Sequence, residues 1–154
     1  MFSFDTEKLG DHQKSEMAKE ANGNLLFLPR RHFECYLIDP EAIANLIVAK
    51  DPASIGVATL ETVAEKLAEL ASEVAFKIPE WKGNLADVDW LAKVDAAKLI
   101  GRVTTVISEQ RATFNKKEDS LALLKDMLVR QPESLRLLYD YVASLVIAVS
   151  PAPD

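Results

Sequence analysis

Apolar and polar positions follow two different periods along this chain. In residues 1–5, Phe2 and Phe4 bracket Ser3 and Asp5 closes the segment, the period-two pattern of a short strand. Residues 8–21 scatter Leu9, Met17 and Ala18 among many charges, which predicts a mostly exposed helix, and Asn22-Gly23-Asn24 supplies its stop and turn. Residues 25–28 are an unbroken apolar run ended by Pro29, read as a buried strand. A strand, a helix and a strand in so short a stretch make a βαβ unit, with parallel strands and a right-handed crossover.

From Arg31 onward the period becomes helical. Asp39-Pro40-Glu41 is a helix start, with Asp as N-cap, Pro at the first helical position and Glu at the positive end of the dipole. That helix should reach Lys50 and stop before Pro52. Thr59 opens a second, whose Leu60, Val63, Ala64, Leu67, Ala71 and Val74 share one face up to Pro79. Residues 81–84, with Gly83, form a connection. Ala96, Leu99, Ile100, Val103, Val106 and Ile107 define a third helical face. Polar residues 115–119 break the pattern. Two more helices follow, residues 120–130 with Leu121, Leu124 and Leu128 facing the core, and residues 133–149 with Leu138, Tyr141, Val142, Leu145 and Val146. The expected fold is α+β and mainly α: a short N-terminal βαβ unit (residues 1–31) packed on a helical domain (residues 32–154) of four to six helices. Two features predict a protein contact, with a homodimer as the simpler form. The two-stranded unit leaves sheet edges open, and residues 145–149 are apolar on every side.

Composition narrows the class. At 154 residues and 17.0 kDa, with 49% hydrophobic residues, the chain can bury a core without disulfide or structural metal. A net charge of −6 and pI near 5.0 exclude a generally basic DNA-coating protein, so any DNA contact must use a local basic patch. The single cysteine, Cys35, excludes an internal disulfide and suits a reducing cytoplasm. Charges interrupt the N-terminal apolar residues, and no apolar run is long enough for a membrane span, so the expected location is cytoplasmic, with no membrane partner.

Few residues point to chemistry. Asp5 and Glu7 lie two apart where the first strand ends, and on an extended backbone both carboxylates point the same way, toward a shared hard cation such as Mg²⁺. The plainer reading is a solvated strand end. Pro29-Arg30-Arg31-His32-Phe33-Glu34 closes the second strand beside them. There Arg30 and Arg31 either bind phosphate or pair with Glu34 or Glu7. His32 reads as a surface histidine and Cys35 as a buried small hydrophobe. Lys116 and Lys117 read as a solvated loop whose charge Glu118 and Asp119 cancel. Trp81 and Trp90 either stack a base or, more ordinarily, pack between helices. Gly-rich phosphate loops, H-E-x-x-H and G-x-S-x-G are all missing, so the chain carries no nucleotide-hydrolysis motif.

The segments Phe4-Asp5-Thr6-Glu7 and Leu28-Pro29-Arg30-Arg31-His32-Phe33-Glu34-Cys35-Tyr36-Leu37-Ile38-Asp39-Pro40-Glu41-Ala42-Ile43 resemble the C-terminal part of OLD-like ATP-dependent endonucleases, AAA-type ATPases with a Toprim nuclease domain. In that family an acidic D-x-D strand end precedes an LPRRxxExYLLxPExI-type segment and a helical tail. The resemblance implies metal-dependent DNA cleavage, with Asp5 and Glu7 as Mg²⁺ ligands, and Arg30 or Arg31 near the scissile phosphate with Glu34 beside them as the catalytic set. It also implies that the ATPase domain and the Toprim strand with the first glutamate lie outside this chain. Glu7 stands for the second aspartate and Cys35 for an asparagine. With the first glutamate missing, two-metal chemistry has no complete ligand set. The expected function is therefore a non-catalytic or split accessory fragment of such an endonuclease, acting through a protein partner and needing no cofactor alone. The alternative is a free-standing helical interaction module, and the third reading is a Mg²⁺-dependent nuclease.

Overall fold

The computed structural model describes residues 2–4, 9–22, 25–79 and 81–149. It is mainly helical, with a small parallel β element at the N-terminus, as the hydrophobic periods predict. Strand β1 (Phe2–Phe4) pairs in parallel with β2 (Leu25–Phe27), Phe2 opposite Leu25 and Phe4 opposite Phe27. Between them runs α1 (Asp11–Glu20), which ends on Asn22 in the left-handed region, a conformation asparagine tolerates. The two strands run the same way.

Six helices follow β2 among the described residues: α2 (Pro40–Lys50), α3 (Leu60–Ala71), α4 (Val88–Leu91), α5 (Ala96–Ile107), α6 (Lys116–Arg130) and α7 (Arg136–Val149). Their starts are chemical. The Asp39 carboxylate accepts from the Ala42 N–H at 2.8 Å, Thr59 Oγ1 from Thr62 N at 3.2 Å and Asp95 from Lys98 N at 3.2 Å, each filling one of the orphan donors of a first turn. Helix α2 is central, packed against α3, α5 and α6, and buries Ala42, Ile43, Ala44, Leu46 and Ile47. Val63, Leu67 and Leu70 of α3 and Leu99, Ile100 and Val103 of α5 close around it. Full burial of each such side chain is worth about 1.5–3 kcal/mol.

Trp81 and Trp90 take the packing role. Their rings stack at 5.3 Å and 26°, and each indole N–H is spent internally, Trp90 on Phe76 O at 3.0 Å and Trp81 on Asn84 O at 2.8 Å. The connection at residues 81–84 turns at Gly83, whose φ of +89° suits only glycine without strain. Helix α4 was not apparent in the hydrophobic pattern; Asp87 caps it through Trp90 N.

Several expected boundaries and faces are corrected. Helix α3 stops at Ala71, so Val74 is 99% exposed, and Leu60 and Val106 also face out. Residues 115–119 are a helix start rather than a break: Asn115 is the N-cap, accepting from Lys117 N at 3.0 Å, and Lys116, Lys117, Glu118 and Asp119 form the first turn of α6. The buried side of α6 is Asp119, Ser120, Leu123 and Met127, while Leu121 and Leu128 lie outside. Asp119 earns its burial by pairing with Lys50 at 2.5 Å and accepting from Asn115 N at 2.6 Å. In the last helix, residues 132–135 form a 3₁₀ turn before α7. Leu138 is buried, but Val142 and Val146 face solvent, so the helix is not covered on every side; Tyr141 ties it to β2 through Leu26 O at 3.3 Å. The side chains of residues 147–149 lie outside the described set.

Candidate functional site

The segment from Pro29 to Leu37 turns the chain out of the sheet and into the helices. Pro29 cannot continue the strand ladder, and residues Phe33–Tyr36 close into a 3₁₀ turn. Arg30 folds back over that turn. Its backbone N–H donates to Tyr36 Oη at 3.1 Å, its guanidinium donates to Cys35 O at 2.5 Å, and it lies 4.6 Å from the Tyr36 ring centroid. Arg31 reaches the opposite way, N–H to Ala92 O at 3.0 Å and guanidinium to Lys93 O at 3.2 Å, fastening the turn to the segment before α5. The two arginines thus clamp backbone carbonyls on either side of the turn.

Inside the turn is a buried polar cluster. His32 and Glu34 are only 1% and 2% exposed, and His32 Nδ1 lies 3.1 Å from Glu34 Oε2. The other carboxylate oxygen accepts from Ser120 Oγ at 3.1 Å, and Lys116 Nζ approaches Oε2 at 3.4 Å. His32 Nε2 faces Asp95 at 4.0 Å, and Cys35 Sγ sits 3.7 Å from Nδ1 while donating to Val94 O at 3.4 Å. Burial disfavours the imidazolium, but hydrogen bonds to Cys35 and Glu34 outweigh it and raise the His32 pKa to about 9. Burial also disfavours the carboxylate; His32, Lys116 and Ser120 together still hold Glu34 below its usual pKa. At neutral pH the pair is therefore an imidazolium and a carboxylate.

These contacts revise two expectations. His32 is an interior residue rather than a surface histidine, because the 3₁₀ turn carries it inward and Glu34 neutralises it there. Neither arginine pairs with Glu34 among the described residues; His32 and Lys116 neutralise that carboxylate instead. Cys35 is fully buried, as a small hydrophobe should be. Asp5 and Glu7, and with them the Mg²⁺ site they were expected to form, lie outside the described residues. Among the described residues no group of three or more His, Cys, Asp or Glu side chains gathers at a cation position. No described helix is long and apolar enough to cross a membrane.

Comparison with protein-family models, curated proteins and solved structures finds no match to this chain.

Among the described residues an opening reaches the cluster. A cleft of about 420 Å³ is lined by Phe33, Glu34, Lys116, Lys117, Ser120 and Leu121, so an ionised carboxylate and two ammonium groups face a largely apolar recess. Of these, only Glu34 was singled out for chemistry. Lys116 and Ser120 join it across more than eighty residues of sequence, which no local spacing reveals. The readable signal was His32-x-Glu34, two residues apart across a turn.

Proposed function

We propose that this chain is an accessory piece of an OLD-like, Toprim-type ATP-dependent endonuclease, acting through a protein partner and not cleaving DNA by itself. The observation that carries the reading is the parallel pairing of β1 with β2. In an open α/β sheet ligands bind beyond the carboxyl ends of the strands. In the sequence Asp5 and Glu7 come directly after β1, and Pro29 and the Glu34 turn come directly after β2, the order in which the resemblance has its two stretches. A parallel sheet is ordinarily covered on both faces and extended by further strands. A two-stranded one calls for a partner to complete it.

A second reading, a free-standing helical interaction module, is supported by the arginines: both guanidiniums are engaged with carbonyls of the fold. Supercoiled-plasmid nicking separates the readings. The purified chain with Mg²⁺ or Mn²⁺ should leave the plasmid intact, and nicking should appear with a phosphate-loop ATPase encoded in an adjacent reading frame and vanish on Asp5→Ala. Nicking by the chain alone, abolished by Asp5→Ala, establishes the active Mg²⁺ nuclease instead. Absence of nicking with that ATPase present favours the interaction module.

A further inference from the structure

Helix α6 has two faces that compete for the apolar role. Toward the core it presents Ser120, Leu123 and Met127. Outward it presents Leu121, 50% exposed, Leu128, 52% exposed, and Val129, 85% exposed, with half-buried Leu124 at the border. Positions 121, 124 and 128 fall at i, i+3 and i+7, one continuous stripe of a helix. The leucine periodicity is real, but the fold leaves most of it outside.

The charged side chains of α6 along the stripe are mostly cationic, three lysines against exposed Glu118, which lies three residues before Leu121 on the same face. Lys117 and Lys125 stand four residues to either side of Leu121 on the same face, both exposed, and Lys116 adds a third ammonium at the N-terminal end. The chain as a whole carries −6, so this cationic border runs against its average. At the Leu121 end of the stripe lies the 420 Å³ cleft, with Phe33 as its other apolar wall, large enough to receive an anchor side chain. Its one carboxylate, Glu34, is neutralised by His32 and Lys116 and so does not repel an incoming acidic chain.

We propose that the outer face of α6 seats an amphipathic helix of a partner protein, apolar along one stripe and acidic along its flanks. An apolar helix face reads a complementary one through anchors at i, i+3 and i+7, and opposite flank charges set partner and orientation. Among the described residues the most acidic helix of a second copy does not fit that description. That helix, α3 with Glu61, Glu65 and Glu69, has already spent Val63, Leu67 and Leu70 in its own core. The proposal rests on the partner-dependent reading above and adds to it the chemistry of the partner's contact.

The full chain is titrated by fluorescence anisotropy against two synthetic helices of about 18 residues, long enough to hold helical form when bound. Both carry leucine at i, i+3, i+4 and i+7; one is flanked by Glu, the other by Lys. The Glu-flanked helix should bind at least about tenfold tighter, and added salt should weaken it. Leu121→Ser with Leu128→Ser should reduce binding at least about tenfold without moving the thermal midpoint, because exposed positions carry little of the fold's stability. Lys117→Glu with Lys125→Glu should invert the preference toward the Lys-flanked helix, and this variant decides the matter if the leucine variant fails to fold. Equal binding of both helices, no binding, or binding indifferent to these substitutions overturns the proposal. So does sedimentation showing a dimer that the leucine variant dissolves, or tighter adhesion to phosphatidylserine vesicles than to the Glu-flanked helix. The assay reads no nicking, so its failure leaves the endonuclease reading to its own test.

Discussion

His32 Nδ1 and Glu34 Oε2 meet at 3.1 Å in the interior, and each holds the other in its charged form. Stability should therefore depend on pH from both sides. The His32 pKa rises from 6.5 to about 9 on folding, so its contribution is complete below 6.5 and is lost as pH climbs through 9. Glu34 is lowered from 4.5, so its contribution is complete above 4.5 and is lost as pH falls through its folded value. Both are complete only between 4.5 and 6.5. Urea unfolding across this range should show a plateau there, with an alkaline decline on the order of 3 kcal/mol from the histidine shift. A flat profile between the plateau and alkaline pH would sink the assignment.

Replacing Glu34 by Gln keeps the shape and the Ser120 contact but takes the negative charge away from His32 Nδ1. Breaking a buried pair in this way costs about 3–5 kcal/mol while the remaining partner stays charged. Without Glu34 the His32 pKa drops, so the ring becomes neutral at a lower pH and relieves part of that cost. The substitution should therefore destabilise the protein more at about pH 6 than at about pH 8. Equal losses at the two pH values would mean that the pair is not the source of the shift.

Leu123 and Leu121 sit two residues apart on α6 and should behave oppositely. Leu123 is fully buried, so Leu123→Ala should cost about 2–5 kcal/mol in thermal or denaturant unfolding. Leu121 faces out, and Leu121→Ala should stay within about 0.5 kcal/mol of the parent. If Leu121 proved the costlier site, the helix would have to be rotated from the orientation seen here.

That pair also shows what a sequence can and cannot convey. Asp39-Pro40-Glu41 and the period of α5 were legible because cap chemistry and one-sided burial are local, and the βαβ pattern was legible because strand and helix periods differ. The α6 start was missed although Asn115, Glu118 and Asp119 are cap and first-turn residues; a run of charges reads equally well as a loop. Its face was missed for a stronger reason. Asp119 and Ser120 are drawn inside by Lys50 and Glu34, partners 69 and 86 residues away, and two satisfied polar contacts turn the leucine stripe outward. Pairings of that range leave no periodic trace. The expected role of Glu34 as a charged site residue rests on the family resemblance, whereas its partners are known only from the fold.

Arg130 joins the end of α6 to the start of α2. Its guanidinium reaches Asp39 at 2.8 Å, Glu41 at 2.5 Å and Asp126 at 2.5 Å, and Gln131 adds a second hydrogen bond to Asp39. Asp39 is also the N-cap of α2, so removing the guanidinium loosens a cap along with the ion pairs. Arg130→Met keeps the apolar stem and should cost about 1–3 kcal/mol, less at high salt, because the network is half-buried and its Glu41 arm is open to screening. Arg130→Lys should fall between, since an ammonium cannot bridge three carboxylates in the guanidinium's planar fork. Chemical denaturation of both variants at two ionic strengths checks the order, and a lysine variant as stable as the parent would rule out a role for the fork.

Cys35 gives a direct readout of how tightly the turn is held. Its sulfur is fully buried, donates to Val94 O at 3.4 Å and lies 3.7 Å from the His32 ring, while Arg30 caps its carbonyl at 2.5 Å. A thiol reagent can reach it only when the turn opens, so its modification rate reports the opening equilibrium. In the native chain at about pH 6 the thiol should react orders of magnitude more slowly than in urea, in a single phase. Glu34→Gln and Arg30→Ala should each speed the reaction, the first by removing the carboxylate from His32 Nδ1 and the second by releasing the carbonyl. Native-state modification as fast as that of the unfolded chain would show that the turn, and the buried pair within it, does not hold in solution.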